Sequence, residues 1–109
     1  MPADARLKYF KSRSYGFTDR DDVSYYVFRT EFSAIIPRGN NLINRDRAVF
    51  KWEFDDLMAR YKFAVPKRYQ PVWDENTYFS MRKDSFCELY TVYNHKSRRL
   101  IVLERICYD

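Results

Sequence analysis

The sequence predicts an α+β domain in which about five strands, mostly antiparallel, form a curved sheet packed by one amphipathic helix. Two patterns predict this class. Short segments rich in β-branched and aromatic residues recur along the 109-residue chain, separated by turn signals. One further segment instead carries its apolar residues at helical spacing. The length suits a single domain over residues 1–109, with residues 1–5 expected to be frayed.

Two strands are predicted ahead of the helix. The first covers Arg6 to Phe17, and its many basic residues favour a sheet edge, because charge on a strand opposes pairing with another molecule. The second covers residues 23–36, VSYYVFRTEFSAII. Its two faces are Tyr25, Val27, Arg29 and Glu31 on one side and Tyr26, Phe28, Thr30 and Phe32 on the other. We expect the second, ring-rich face to be the core.

The helix is predicted over Arg47 to Lys62, with Asn44 or Asp46 placed to cap its start. Its apolar side chains recur at offsets typical of one helix face. They are Phe50, Phe54, Leu57 and Tyr61, with Val49 and Met58 widening the stripe. We therefore expect this stripe to pack on the sheet.

Three strands are predicted to close the chain after a surface loop over residues 63–76, which Tyr69 and Trp73 anchor. They are TYFSMRK from Thr77, FCELYTVY from Phe86 and LIVLERICY from Leu100. The last two form a hairpin across NHKSRR. The final strand is apolar on both faces near its middle, which favours a central position in the sheet.

Cys87 and Cys107 lie among large apolar residues, so we expect both to be buried thiols of a reducing cytosol. A disulfide between them requires a strand register that brings the two close. The sequence has neither a secretion-signal pattern nor a run of about 20 apolar residues. These features predict a cytoplasmic protein without a membrane span.

Few residues suit catalysis or a cofactor. The single histidine, His95, falls in the predicted hairpin turn, without an orienting partner or metal-ligand spacing. The chain has two glycines and no phosphate-cradling glycine motif. The acidic pairs, Asp55 with Asp56 and Asp74 with Glu75, are interpreted as solvated charge. We therefore predict no catalytic residues, no metal and no cofactor.

Basic residues interleaved with rings are the feature that points to a ligand. The formal net charge is +5, and phosphate neutralisation combined with base stacking uses these two residue types. The candidate binding residues are Lys8, Lys11, Arg13, Lys67, Arg68, Tyr69, Trp73, Lys96, Arg98 and Arg99. If they converge, they form a patch for nucleic acid or for an acidic protein surface. The competing interpretation is scattered, solubilising charge.

The end of the chain, ELYTVYNHKSRRLIVLERICYD, resembles the closing strands of the bacterial RelE and ParE toxin family. The resemblance implies ribosome-dependent RNA cleavage, with Arg82, Arg105 and Tyr108 at the nearest positions. Members of that family carry two helices ahead of these strands, whereas this sequence predicts a long strand and one helix there.

The residues favour a small binding or inhibitor protein without catalysis, of a kind frequent in phages and mobile elements. It would dock on nucleic acid or on a nucleic-acid-handling complex. Two alternatives stay open: the toxin-like ribonuclease, and a homo-oligomeric scaffold or homodimer built by pairing strand edges.

Overall fold

The computed structural model describes residues 6–15, 21–30, 47–83 and 86–107, with the side chains of residues 13–15, 21 and 107 outside that description. The elements are β1 (Arg6–Tyr15), β2 (Asp21–Arg29), α1 (Arg47–Arg60), a 3-10 helix (Lys67–Tyr69), β3 (Thr77–Lys83), β4 (Cys87–Asn94) and β5 (Arg99–Cys107). The strands form one antiparallel sheet in the order β1-β2-β5-β4-β3. The predicted α+β class is confirmed.

The predicted order of strands is confirmed in its main features. β1 lies at an edge, β5 is central, and β4 and β5 form the expected hairpin. β2 begins two residues earlier than predicted, at Asp21. Residues 31–36 of the second predicted strand, residues 16–17 of the first, and the helix caps Asn44 and Asp46 lie outside the described residues.

α1 packs across one face of the sheet through aromatic rings. Phe50 lies with its ring centroid 5.7 Å from that of Tyr90, and Phe54 lies 6.4 Å from Tyr25 and 6.1 Å from Tyr90. Edge-to-face contacts of this kind stabilise a core beyond the area they bury. We call this side of the sheet the helix face and the other side the open face.

The helix face is not the face that we expected to be the core, so the prediction for β2 is wrong. Tyr25 and Val27 are fully buried, whereas Tyr26 and Phe28 are only partly buried on the open face. Tyr25 can be buried because its hydroxyl donates a 2.6 Å hydrogen bond to the carbonyl oxygen of Tyr69. Ring content alone therefore pointed to the wrong face.

The helix ends in a Schellman motif. The amide of Phe63 donates to the carbonyl oxygen of Met58 at 2.8 Å, and that of Lys62 donates to Ala59 at 3.1 Å. Lys62 has a φ of 50°, so it leaves the helix in the left-handed region. For this reason α1 ends at Arg60, two residues before the predicted end.

The predicted helical stripe is confirmed for its central residues and wrong at one position. Phe50, Phe54 and Leu57 are buried, and Met58 and Tyr61 pack partly against the core. Val49 is instead 57% exposed.

The loop over residues 63–76 is anchored as predicted. The Trp73 ring packs edge-on against Phe50 and Phe54, at centroid distances of 5.8 and 6.1 Å. Asp74 is not the solvated charge that we expected, because its Oδ1 accepts hydrogen bonds from the Asn76 amide at 2.8 Å and from Asn94 Nδ2 at 3.0 Å. The Asn76 hydrogen bond is the main cause that lowers the pKa of this carboxyl.

The two cysteines are not partners in the sheet register. Cys87 lies opposite Ile106, while Cys107 lies opposite Asp21. Cys87 is half-buried, so the expectation that it is buried is wrong, and the side chain of Cys107 lies outside the described residues. Along the described part of the chain, no helix has the length and apolar character needed to cross a membrane.

Tyr25 lies on the helix face and Tyr26 on the open face, so substitution of these adjacent residues should destabilise the protein to different extents. Tyr25→Ala should destabilise the protein by about 3–5 kcal/mol, because it empties a fully buried site. Tyr26→Ala should cost about 1 kcal/mol, as at an ordinary half-exposed position. Urea unfolding of the two variants measures the difference, and equal costs would contradict the assignment of the helix face.

Candidate functional site

Three arginines lie side by side across the sheet. The register places Arg6 opposite Arg29, and Arg29 opposite Arg99. Directly opposed residues point to the same face, and neighbouring strands lie about 4.8 Å apart, so three guanidinium groups share one end of the helix face. Like charges in this arrangement destabilise a sheet. The three arginines therefore destabilise the sheet through charge repulsion, and packing does not explain their arrangement.

A fourth arginine joins this row around the ring of Tyr69. Tyr69 stacks on Tyr9 of β1 at 4.6 Å. The guanidinium groups of Arg68 and Arg99 lie 4.9 and 5.7 Å from the centroid of the Tyr69 ring, and Arg99 Nη1 donates a hydrogen bond to the carbonyl oxygen of Arg68. Basic residues from three distant parts of the chain thus converge. We call Arg6, Arg29, Arg68 and Arg99 the basic end.

The arginines of the basic end have no acidic partner in the part of the chain that the structure describes. The ion pairs found there involve Lys51, Arg60, Lys83 and Arg105 instead. Arg6, Arg29 and Arg68 are exposed and Arg99 is half-buried. Within the described ranges, no carboxylate compensates their charge.

Other predicted binding residues lie beside the basic end. Lys67 is exposed and precedes Arg68 in the 3-10 helix. Lys96 and Arg98 lie in the turn between β4 and β5, next to Arg99, and Arg98 has a φ of 59°. Lys8 is exposed where the β1–β2 register shifts, between Leu7 and Tyr9. These four cations lie within three residues of an arginine of the basic end in sequence.

The structure does not place the four other predicted residues with these cations. Lys11 Nζ donates to the Ala64 carbonyl oxygen at 2.7 Å and lies 5.1 Å from the centroid of the Phe63 ring, so it ties β1 to the loop. The rings of Tyr69 and Trp73 are engaged by internal partners. Arg13 lies opposite Val23, several rows from the basic end, and its side chain lies outside the described residues.

The open face carries aromatic rings, among them Tyr26 and Phe28, which we expected in the core. Phe10 lies opposite Tyr26, with centroids 5.0 Å apart, and Tyr26 stacks on Phe28 at 5.9 Å with an interplanar angle of 11°. Phe10 is 51% exposed. We call Phe10, Tyr26 and Phe28 the ring strip.

The opposite end of the helix face holds a closed charge network. Glu88 is 1% exposed; Arg105 donates to its Oε2 and the Tyr90 hydroxyl donates to its Oε1 at 2.9 Å. Lys83 and Arg60 approach it at 3.6 and 4.0 Å. Burial acts to raise the pKa of Glu88, but the hydrogen bonds and positive charges, led by Arg105, hold it below its ordinary value.

This network bears on the ribonuclease alternative. Arg105 lies on the helix face, bound to Glu88, whereas Arg82 lies opposite Leu89 on the open face. The two cations that the toxin resemblance singles out therefore do not converge. Tyr108 lies outside the described residues.

A groove of about 510 Å³ lies between the end of α1 and the following loop. Its walls are mainly apolar, with Phe54, Met58 and Phe63 among them, and Asp55 and Lys62 are its charged residues. Among the described residues, no cluster of three or more His, Cys, Asp or Glu side chains is placed to hold a metal ion. The groove thus lacks the groups that would make it a stronger candidate than the basic end.

The Glu88 network predicts how stability depends on pH. A carboxyl with a lowered folded-state pKa stabilises the protein above its unfolded pKa, and this contribution is lost as the pH falls through the folded value. The free energy of unfolding should therefore fall below about pH 4.5. Glu88→Gln should cost about 3–5 kcal/mol at pH 7, because it breaks the buried ion pair with Arg105, and should flatten the acid-side slope.

Denaturant titrations at a series of pH values measure this effect. Lys51→Gln is the control, because it breaks only an exposed pair with Asp55 and should change the free energy of unfolding by less than about 1 kcal/mol. An unchanged slope in Glu88→Gln would contradict the network's role.

The comparisons with known proteins add no assignment to this geometry. Neither a protein-family model, nor a curated protein, nor a solved structure matches the chain.

Proposed function

We propose that the protein binds nucleic acid through the basic end and acts without catalysis. The arginine row carries this proposal. Arg6, Arg29 and Arg99 stand directly opposite one another with no carboxylate to compensate them among the described residues. A bound polyanion would relieve this repulsion, and the guanidinium group is the side chain best suited to pairing with phosphate.

Phosphate is a better match than an acidic protein surface for a physical reason. Guanidinium groups bind phosphate oxygens in a bidentate manner, and a nucleic-acid backbone repeats these oxygens at regular spacing. The net charge of +5 adds a general attraction. The surrounding cations Lys8, Lys67 and Lys96 extend the surface over which a backbone could be neutralised.

The same proposal includes the biological setting. An intracellular accessory or inhibitor protein, such as phages and mobile elements encode, could use this surface to occupy nucleic acid or a nucleic-acid-handling complex. Pairing of strand edges into a scaffold is less favoured, because Arg6 and Lys8 lie exposed on edge strand β1.

A matched pair of double variants tests the proposal. Arg6→Ala with Arg29→Ala should weaken binding to a labelled 20-nucleotide oligouridine probe. Each single-strand phosphate contact contributes about 0.7 to the slope of log K against log salt, so losing two should reduce the slope by about 1.4. Fluorescence anisotropy over a salt series gives both quantities.

The control removes the same charge elsewhere. Lys51→Ala with Arg82→Ala also removes two exposed cations, one on α1 and one on β3. It should leave the salt slope close to that of the wild-type protein. Equal losses in the two pairs would mean that net charge alone attracts the probe, and absence of wild-type binding would overturn the proposal.

A further inference from the structure

We infer that two copies of the chain associate through α1, with Trp52 of each copy inserted into the groove between α1 and the following loop of the other copy. Two observations lead to this inference. The fold leaves a large apolar ring of α1 in solvent, and an apolar groove lies nearby along the same helix. Neither feature belongs to the basic end, so the inference goes beyond the proposed function.

Trp52 is the most exposed of the large apolar side chains that the structure describes, at 67%. It lies two residues from the buried Phe50 and Phe54, and at 3.6 residues per turn this spacing directs it to the solvent side of α1. Val49, one turn earlier, is also exposed. Grouped exposed apolar residues are typical of interaction sites, and tryptophan is enriched among the residues that contribute most to interfaces.

The groove offers an apolar surface of suitable size. Phe54, Met58 and Phe63 contribute to its walls, and its volume of about 510 Å³ is within the range of pockets that hold a ligand. Ala59 also lines it and is exposed. Because the alanine side chain is small, a partner can approach the helix closely at this point.

The positions of the ring and the groove allow a closed dimer. Trp52 and Ala59 are seven residues apart, which is about two turns and roughly 10 Å along α1, so they lie on the same side of the helix. A two-fold axis that passes between them brings each ring to the groove of the other copy. Both insertions then form together, so the assembly closes as a dimer and does not grow into a filament.

The charges of α1 favour a second copy as the occupant. Lys51 pairs with Asp55 at 3.3 Å, and Arg60 pairs with Asp56 at 3.2 Å, so these exposed charges balance. A surface that carries both signs can pair opposite charges across a two-fold axis. The uncompensated arginines of the basic end would instead repel those of another copy. Two copies can therefore approach through α1 at little electrostatic cost.

The size of the contact sets the expected affinity. Each inserted tryptophan buries about 150–250 Å². Two insertions and the groove walls that face them together fall below the roughly 1,200 Å² at which specific, stable interfaces begin. We therefore expect a reversible dimer with a dissociation constant in the micromolar range.

Sedimentation velocity of the full chain, purified free of nucleic acid, tests the inference over a series of micromolar concentrations. Trp52→Ala should weaken self-association by at least about thirtyfold, as for other central interface tryptophans. Ala59→Gln should act similarly, because it fills the groove from α1 with a good helix former. Phe10→Ala is the control, since it removes an exposed ring from the open face and should leave the dimer unchanged. Circular dichroism and urea midpoints identify any variant that fails to fold.

A mixture of the two variants gives a sharper test. In the mixed dimer, Trp52 of the Ala59→Gln copy meets the intact groove of the Trp52→Ala copy, so one of the two insertions is restored. The mixture should therefore associate more strongly than either variant alone. Tryptophan fluorescence reports the same event, because Trp52 and the internally packed Trp73 are the two tryptophans of the chain. The emission of the wild type should shift to shorter wavelength as the concentration rises.

Three results would overturn the inference. The wild type could remain monomeric with an unshifted emission, which would leave the groove to another occupant. A dimer that persists in Trp52→Ala would place the interface elsewhere. A dimer that is lost in Trp52→Ala but retained in Ala59→Gln would mean that the ring contacts a different surface. None of these measurements involves nucleic acid, so they leave the test of the basic end unaffected.

Discussion

The packing of Phe50 and Phe54 against Tyr25 and Tyr90 determines the rest of the molecule. These contacts select which face of the sheet lies under α1. Because side chains alternate along each strand, this choice also determines the opposite face. It places the ring strip on the open face and aligns Arg6, Arg29 and Arg99 at one end of the helix face. The arginine row of the proposed site thus follows from this packing arrangement.

The two ends of the helix face differ in whether opposite charges compensate one another. At one end, Glu88 is buried and surrounded by Arg105, Lys83 and Arg60, so its charge is compensated inside the protein. At the other end, the arginines meet each other and a tyrosine ring. The charges of the Glu88 network compensate one another, whereas a row of like charges is unfavourable unless an anion binds it. The contrast separates a structural cluster from the one that we propose to bind nucleic acid.

Local sequence patterns predicted the helix and the strands. They could not predict which residues from distant parts of the chain lie together. The helical offsets of Phe50, Phe54 and Leu57 depend only on neighbours in sequence, so the helix and its stripe were predictable. The face of β2 that forms the core was not predictable, because both faces carry aromatic rings and packing of α1 decides which of them is buried. Convergence of Arg6, Arg29 and Arg99 likewise depends on register across three strands. The sequence could nominate basic residues and rings but could not tell which of them meet.

Backbone chemical-shift mapping with unlabelled oligouridine is the most direct test of this account. We expect perturbations at the arginines of the basic end, with the core residues of α1 unchanged. Perturbations centred on the groove between α1 and its following loop, or on the charge network around Glu88, would contradict the account, because they would place the ligand where the arginine row cannot contact it.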